Sequence, residues 1–228
     1  MILLIAGLLL TALVFFPQLW VRHVMKRHHR DVADMPGTGG ELAHHLVKRF
    51  KLDGIGVEET EEGRDHFDPQ AQMVRLSPSN YHGRSVTAVA VAAHEVGHAI
   101  QFHRNEAIFE LRKKYLPLAG KLSRFGIALM WSIPVAAVVL RSPIAVGIVI
   151  GLSVLLQLAG AMAYLIVLPE EWDASFNKAL PILVEGEYLQ EDQIRSARQV
   201  LKAAALTYFA GALASVVNIG RWLMVLRS

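Results

Sequence analysis

In this 228-residue sequence the clearest capacity for chemistry lies in His94-Glu95-Val96-Gly97-His98. Residues four apart share one face of a helix, so both imidazoles can reach a single metal ion, while Glu95 stands beside them, placed to act on a water at the metal. Ten His and thirteen Glu in a chain of this length would produce about 0.025 such patterns by chance. Composition alone therefore does not account for it. The flanks, Ala-Val-Ala-Val-Ala-Ala before and Ala-Ile-Gln-Phe after, make an apolar helix, and Ser85 supplies a cap for a helix running to about Phe102. Zinc (Zn2+, one per chain) is the metal this spacing serves. The chain has no cysteine, so His and carboxylate must supply the ligands, and disulfide scaffolds, zinc knuckles and thiol nucleophiles are excluded.

A catalytic zinc takes three protein ligands and keeps a fourth position open for water. The metzincin arrangement would need Gly at 101 and His at 104; those positions are Gln101 and Arg104, and His103 is one residue out of register. The alternative is a later carboxylate, and Pro169-Glu170-Glu171-Trp172-Asp173-Ala174-Ser175 offers three. Pro169 suits the start of a helix, on which Glu170 and Glu171 would point about 100° apart, so only one of them could face the metal. Asp173 either orients a ligand or sits in solvent. Tyr81, His82 and His103 are candidates for stabilising a tetrahedral oxyanion, against ordinary loop or helix-end polarity. His23, His28, His29, His44 and His45 lie in basic or amphipathic surface contexts and do not read as a second metal site.

These residues must be positioned by a chain that is 53% hydrophobic and only 19% charged, against about a quarter charged in an ordinary soluble domain. Met1–Val21 is free of charge and long enough to cross a bilayer; with its basic residues after the apolar run, it reads as an uncleaved anchor. Phe125–Leu140 and Ser142–Pro169 form a transmembrane hairpin around Arg141, with a small-xxx-small spacing at Gly147 and Gly151 that would let a neighbouring helix approach. Ala203–Gly220 is a fourth span, a buried core helix being its alternative. The expectation is a mainly α, polytopic helical membrane protein with about four transmembrane helices, a zincin-type helix and a small β-ribbon or sheet on one membrane face. The segments are 1–21 (anchor), 22–116 (catalytic region), 117–168 (hairpin), 169–201 (third ligand) and 202–228 (last span and tail). Two spans separate the polar stretches, so both emerge on one face, as a shared metal requires. The Lys/Arg cluster from Arg22 to Arg30, with Lys113, Lys114, Lys121 and Arg124, favours the cytoplasm for that face of a multi-pass cell-membrane protein. A net charge of +3 is too mild for a nucleic-acid reader and suits a lipid bilayer partner. Within the first polar stretch, Gly37–Phe50 reads as a capped amphipathic helix, and Gly54–Glu58 and Gln72–Leu76 as short strands.

The segment Ala92–Gln101, preceded by Leu76-Ser-Pro-Ser-Asn-Tyr and Arg84-Ser-Val and followed by Leu168-Pro-Glu-Glu-Trp-Asp-Ala-Ser175, resembles the YugP-like neutral zinc metallopeptidases of bacterial membranes. The resemblance covers most of the chain. That family is similar in layout to membrane gluzincins of the HtpX and CAAX-processing type, whose third ligand is the first Glu of a Glu-x-x-x-Asp pattern. The resemblance implies His94, His98 and Glu171 as metal ligands and Glu95 as general base. Ser175 stands where the pattern has Asp, which leaves the partner of a ligating His open.

The implied activity is peptide-bond hydrolysis of a peptide or protein substrate, a zinc metalloendopeptidase reaction in which Glu95 moves the proton. By analogy with zincin folds, the edge of Gln72–Leu76 could hold an extended substrate backbone. A non-catalytic zinc-binding membrane scaffold is the alternative, and the presence of Glu95 argues against it. A metal transporter should carry ligands within its spans at mid-bilayer depth; Gln157 and Asn218 stand isolated there.

Overall fold

The computed structural model describes residues 2–207, 209 and 210, with side chains from residue 15 onward. In chain order the elements are α1 (Ile2–Arg27), α2 (Gly39–Arg49), β1 (Gly56–Glu59), β2 (His66–Asp68), β3 (Met73–Leu76), α3 (Pro78–Tyr81), α4 (Val86–His103), α5 (Ala107–Leu140), α6 (Pro143–Trp172), a π-helical segment (Asp173–Ala179), α7 (Leu180–Glu185) and α8 (Glu191–Ala205). They divide into two compact units. One comprises Leu19–Glu110 and Pro169–Thr207, the other, among the described residues, 2–18, Leu111–Leu168 and 209–210.

In the first of these units the core is built around α4. Every residue from Val86 to Gln101 is buried, because Ala at 88, 90, 92, 93 and 99 keeps the helix thin enough for neighbours to close on all sides. Those neighbours include α2, the π-helical segment and α8. Ser85 caps α4, its Oγ accepting from the Ala88 N–H at 3.1 Å. Helix α2 opens with a reciprocal box: Glu41 N–H donates to Thr38 Oγ1 at 3.1 Å, and Thr38 N–H donates to Glu41 Oε2 at 2.7 Å. Its apolar face (Leu42, Ala43, Leu46) joins the core with Val200, Leu201 and Ala203 of α8.

The sheet corrects one expectation. Its order is β1-β3-β2, with β1 parallel and β2 antiparallel to β3. Gln72–Leu76 therefore ends in the central strand, whose two sides are already paired, and offers no edge to a substrate. The reason lies in β2, whose three residues are too few to show an alternation. Its pairing is held by the Asp68 turn, where Oδ1 accepts from Gln70 and Ala71 N–H, and by Arg75 of β3, which reaches Asp68 at 2.5 Å and Glu58 of β1 at 2.6 Å. The Asp68 carboxyl is held below its ordinary range by the Ala71 N–H above all, with Gln70 and Arg75 adding to it, against the opposing effect of burial.

The second unit contains the apolar stretches of α5 and α6. Among the described residues two helices are long and apolar enough to cross a membrane, Ala107–Leu140 and the continuous helical run Pro143–Glu185. Only 17% and 22% of their most apolar windows are buried, the opposite of a soluble core helix. Phe125, Trp131, Val135, Val138, Ile144, Ile148 and Leu155 all face outward. Between the two helices runs a seam of small and polar residues. Ser153 Oγ donates to the Gly126 carbonyl at 2.7 Å, and Gln157 Nε2 donates to Ser153 Oγ at 3.4 Å. A Cβ at Gly126 would meet Gln157 Cγ at 2.7 Å, so only glycine permits this approach. Gln157 is thus not isolated, and the close packing is made at Gly126 rather than at Gly147 and Gly151, around which a Cβ would meet nothing within 4 Å. The turn between the helices carries Arg141 in the left-handed region (φ 49°), and Pro143 begins α6.

Residues 2–21 of the expected span Met1–Val21 fall in α1; Met1 lies outside the described residues. Most of the expected span Ala203–Gly220 lies outside the described residues.

Candidate metal centre

Pro169 does not start a helix. It lies inside α6, which runs on through Glu170, Glu171 and Trp172 into the π-helical segment. Proline's missing N–H removes one helical hydrogen bond, but its φ is compatible with the helix, and the surrounding elements carry the run through. Both glutamates consequently project from a continuous helix packed on α4, and both are buried.

The approach depends on Gly97. A Cβ at this position would lie 2.8 Å from the Ala174 carbonyl oxygen, so the glycine inside the His-Glu-Val-Gly-His run is what lets the π-helical backbone close on α4. This contact sets His94, His98 and Glu171 together. The two rings are edge to face with centroids 4.7 Å apart, and their Nε2 atoms are separated by 3.2 Å. Glu171 Oε2 lies 3.3 Å from each of them. An ion bound tetrahedrally at about 2.0–2.1 Å has donor–donor edges of about 3.3–3.4 Å. The observed triangle has those edges. His98 and Glu171 are each 1% exposed.

The surroundings determine which atoms carry protons. Ser175 Oγ is 3.1 Å from the Leu201 carbonyl, which can only accept, and 3.0 Å from His94 Nδ1. The hydroxyl proton goes to the carbonyl, so Nδ1–H of His94 donates to Ser175 and its Nε2 bears a lone pair. At His98, Nδ1 faces Glu170 Oε1 at 2.8 Å and Gln101 Oε1 at 3.0 Å. The Gln101 amide is oriented by its own donations, to the Glu170 carbonyl at 3.0 Å and to Asp173 Oδ2 at 2.8 Å. His98 Nδ1–H is again the donor and Nε2 the lone pair. Three acceptor atoms therefore converge on one point, an arrangement that a cation satisfies.

Further out, Asp173 pairs with Lys178, which also reaches Glu106 at 2.8 Å. Asn177 Nδ2 donates to Asp173 Oδ1 at 2.8 Å. The Asp173 carboxylate accepts hydrogen bonds from Lys178, Gln101 and Asn177. Asp173 is thus no solvent-facing acid: it fixes the amide that fixes His98. Glu95, next to His94 on α4, retains 7% exposure, more than either histidine.

Among the sequence candidates, His94, His98 and Glu171 come together. Glu170 is not a surface carboxylate at a helix start; it sits behind His98, so the two glutamates address opposite nitrogens of one ring. Tyr81 is engaged with His44 at 3.2 Å and His82 with Glu59 at 2.6 Å, while His103 is exposed at the end of α4. Gln101 and Ser175 were the supports not assigned from sequence. Gln101 was detectable by its i+3 spacing from His98; the contact of Ser175 depends on the π-helical register, which leaves no compositional mark.

The family described as "Putative neutral zinc metallopeptidase" matches residues 1–227. The chain belongs to this family. It is also 33% identical over 216 residues to "Putative membrane protease YugP" of Bacillus subtilis (strain 168), covering 93% of this chain and 91% of that protein. No solved structure matches it. Membership agrees with a buried group able to hold a metal and with two helices apolar enough for a bilayer.

Proposed function

We propose that the protein is a membrane-embedded zinc metalloendopeptidase, with His94, His98 and Glu171 as the zinc ligands and Glu95 as general base. The observation that carries this reading is the triangle of three acceptor atoms with edges of 3.2–3.3 Å. Two imidazoles and one carboxylate are a donor set suited to zinc, and three ligands leave a fourth position for water, as catalytic sites do and closed structural sites do not. When bound there, zinc would polarise the scissile carbonyl and acidify the attacking water to a pKa of about 7.

The chain's own residues do the rest. His94 and His98 present lone pairs whose direction is set by Ser175, Glu170 and Gln101. Glu95 accepts the proton from the water as it attacks and returns it to the leaving amine, so no covalent intermediate with the protein is needed. The packed core around α4 keeps the ligands dry and preorganised. The two polar stretches carrying these groups would face the cytoplasm, on the strength of the basic residues flanking the apolar runs.

The test is to purify the full chain in detergent with its metal and compare cleavage of an unfolded protein substrate by wild type and Glu95→Gln. Loss of cleavage with zinc content unchanged supports the assignment. Equal cleavage by both contradicts it, and binding of zinc without cleavage by the wild-type protein would favour a metal-pinned scaffold.

A further inference from the structure

The two ligating imidazoles are supported unequally. Behind His94 is a hydroxyl: Ser175 Oγ at 3.0 Å, itself tied to the Leu201 carbonyl. Behind His98 are a carboxylate, Glu170 Oε1 at 2.8 Å, and an amide, Gln101 Oε1 at 3.0 Å. Glu170 is completely buried, and an ionised carboxylate in such a place is costly unless paired and hydrogen-bonded. A packing role alone would be filled more stably by an apolar side chain of the same length.

We propose that Glu170 is a positioning residue for the metal: its negative charge, received through the Nδ1–H of His98, makes His98 the stronger of the two imidazole donors. The inference rests on the zinc-site reading above. A carboxylate hydrogen-bonded to Nδ1–H raises the electron density at Nε2 and holds the ring in the tautomer that ligates. A hydroxyl accepting the same bond fixes the tautomer of His94 but adds no charge. The adjacent pair Glu170 and Glu171 thereby serves one histidine from both sides, one glutamate as ligand and the other as the group that strengthens the ligand. Gln101 ties this arrangement to the backbone, since it accepts from the same Nδ1–H and donates to the Glu170 carbonyl.

The experiment measures zinc affinity by competition with a chelating dye, and cobalt substitution by visible absorption, on the full-length protein in detergent. The variants are Glu170→Gln, Glu170→Met, Ser175→Ala and Glu171→Gln. Glu170→Gln keeps the size and an acceptor but loses the charge, and should bind zinc about 10- to 100-fold more weakly, with shifted cobalt bands. Glu170→Met, which loses the acceptor as well, should be weaker still, and Ser175→Ala should be affected less than Glu170→Gln. The proposal is overturned if Glu170→Gln matches wild type in affinity and cobalt spectrum. That holds even if Glu170→Met is weak, since hydrogen bonding rather than charge would then be the support. The metal-site reading fails separately if the wild-type protein takes up no zinc, or if Glu171→Gln binds as tightly as wild type.

Discussion

The seam between α5 and α6 and the packing around α4 use the same materials to different ends. Both bring helices together at a glycine, Gly126 in one and Gly97 in the other, and both bury polar side chains at the contact. In the hairpin those groups answer one another: Ser153 donates to a carbonyl and Gln157 donates to Ser153. Around α4 the outer hydrogen bonds are answered just as fully, but they orient three acceptor atoms toward a common point. Polar side chains that bond one another or a backbone carbonyl, as Ser153 and Gln157 do, hold helices together. A group whose inner atoms converge as acceptors could hold a metal ion, and that difference separates a structural polar contact from a candidate site.

The comparison can be broken most forcefully at Glu95. It makes no part of the acceptor triangle, so Glu95→Gln should reduce peptide cleavage by about 10²- to 10⁴-fold while leaving zinc content unchanged; parallel metal analysis and cleavage assays check it. The next largest effect is expected at the glycine contacts. Gly97→Ala places a methyl against the Ala174 carbonyl and should destabilise the protein by about 1–3 kcal/mol and weaken zinc binding together. Gly147→Ala, where a Cβ meets nothing within 4 Å, should change neither, by thermal unfolding and zinc titration.

Ser175→Ala sharpens the contrast from the metal side. Loss of the acceptor for His94 Nδ1–H should weaken zinc by about tenfold without altering the α5–α6 seam. The smallest effect belongs to the hairpin itself. Gln157→Leu removes a hydrogen bond between apolar helices, worth about 0.6 kcal/mol on average in such settings, and zinc affinity should not move. A large loss of zinc in Gln157→Leu would contradict the separation drawn between the two regions.

Much of this was legible in sequence wherever periodicity or a spacing rule applied. His94 and His98 announce a shared helix face, Ser85 announces the start of α4, and the amphipathic run within Gly37–Phe50 announces α2. The apolar runs of α5 and α6 stand out by the absence of charge over a bilayer-length stretch. What failed to show depends on tertiary context. Pro169 is locally a helix start, and no residue beside it marks that α6 continues through it. Strand β2 is three residues long and exists by pairing with β3, so the central position of β3 could not be read from its own sequence. Glu170 resembles any interfacial acid until the end of α6 is brought against His98. The roles of Ser175 and Gln101 likewise follow from which lone pairs and protons meet once the backbones have closed at Gly97.

The central claim, that the acceptor triangle is a zinc site, is tested most directly by the metal content of the purified full-length protein against that of His98→Ala and Glu171→Ala. The expected result is one zinc per wild-type chain and none retained by either variant after dialysis, with all three equally helical by circular dichroism. Stoichiometric zinc in Glu171→Ala, or none in the wild-type protein after growth and purification with added zinc, would contradict it.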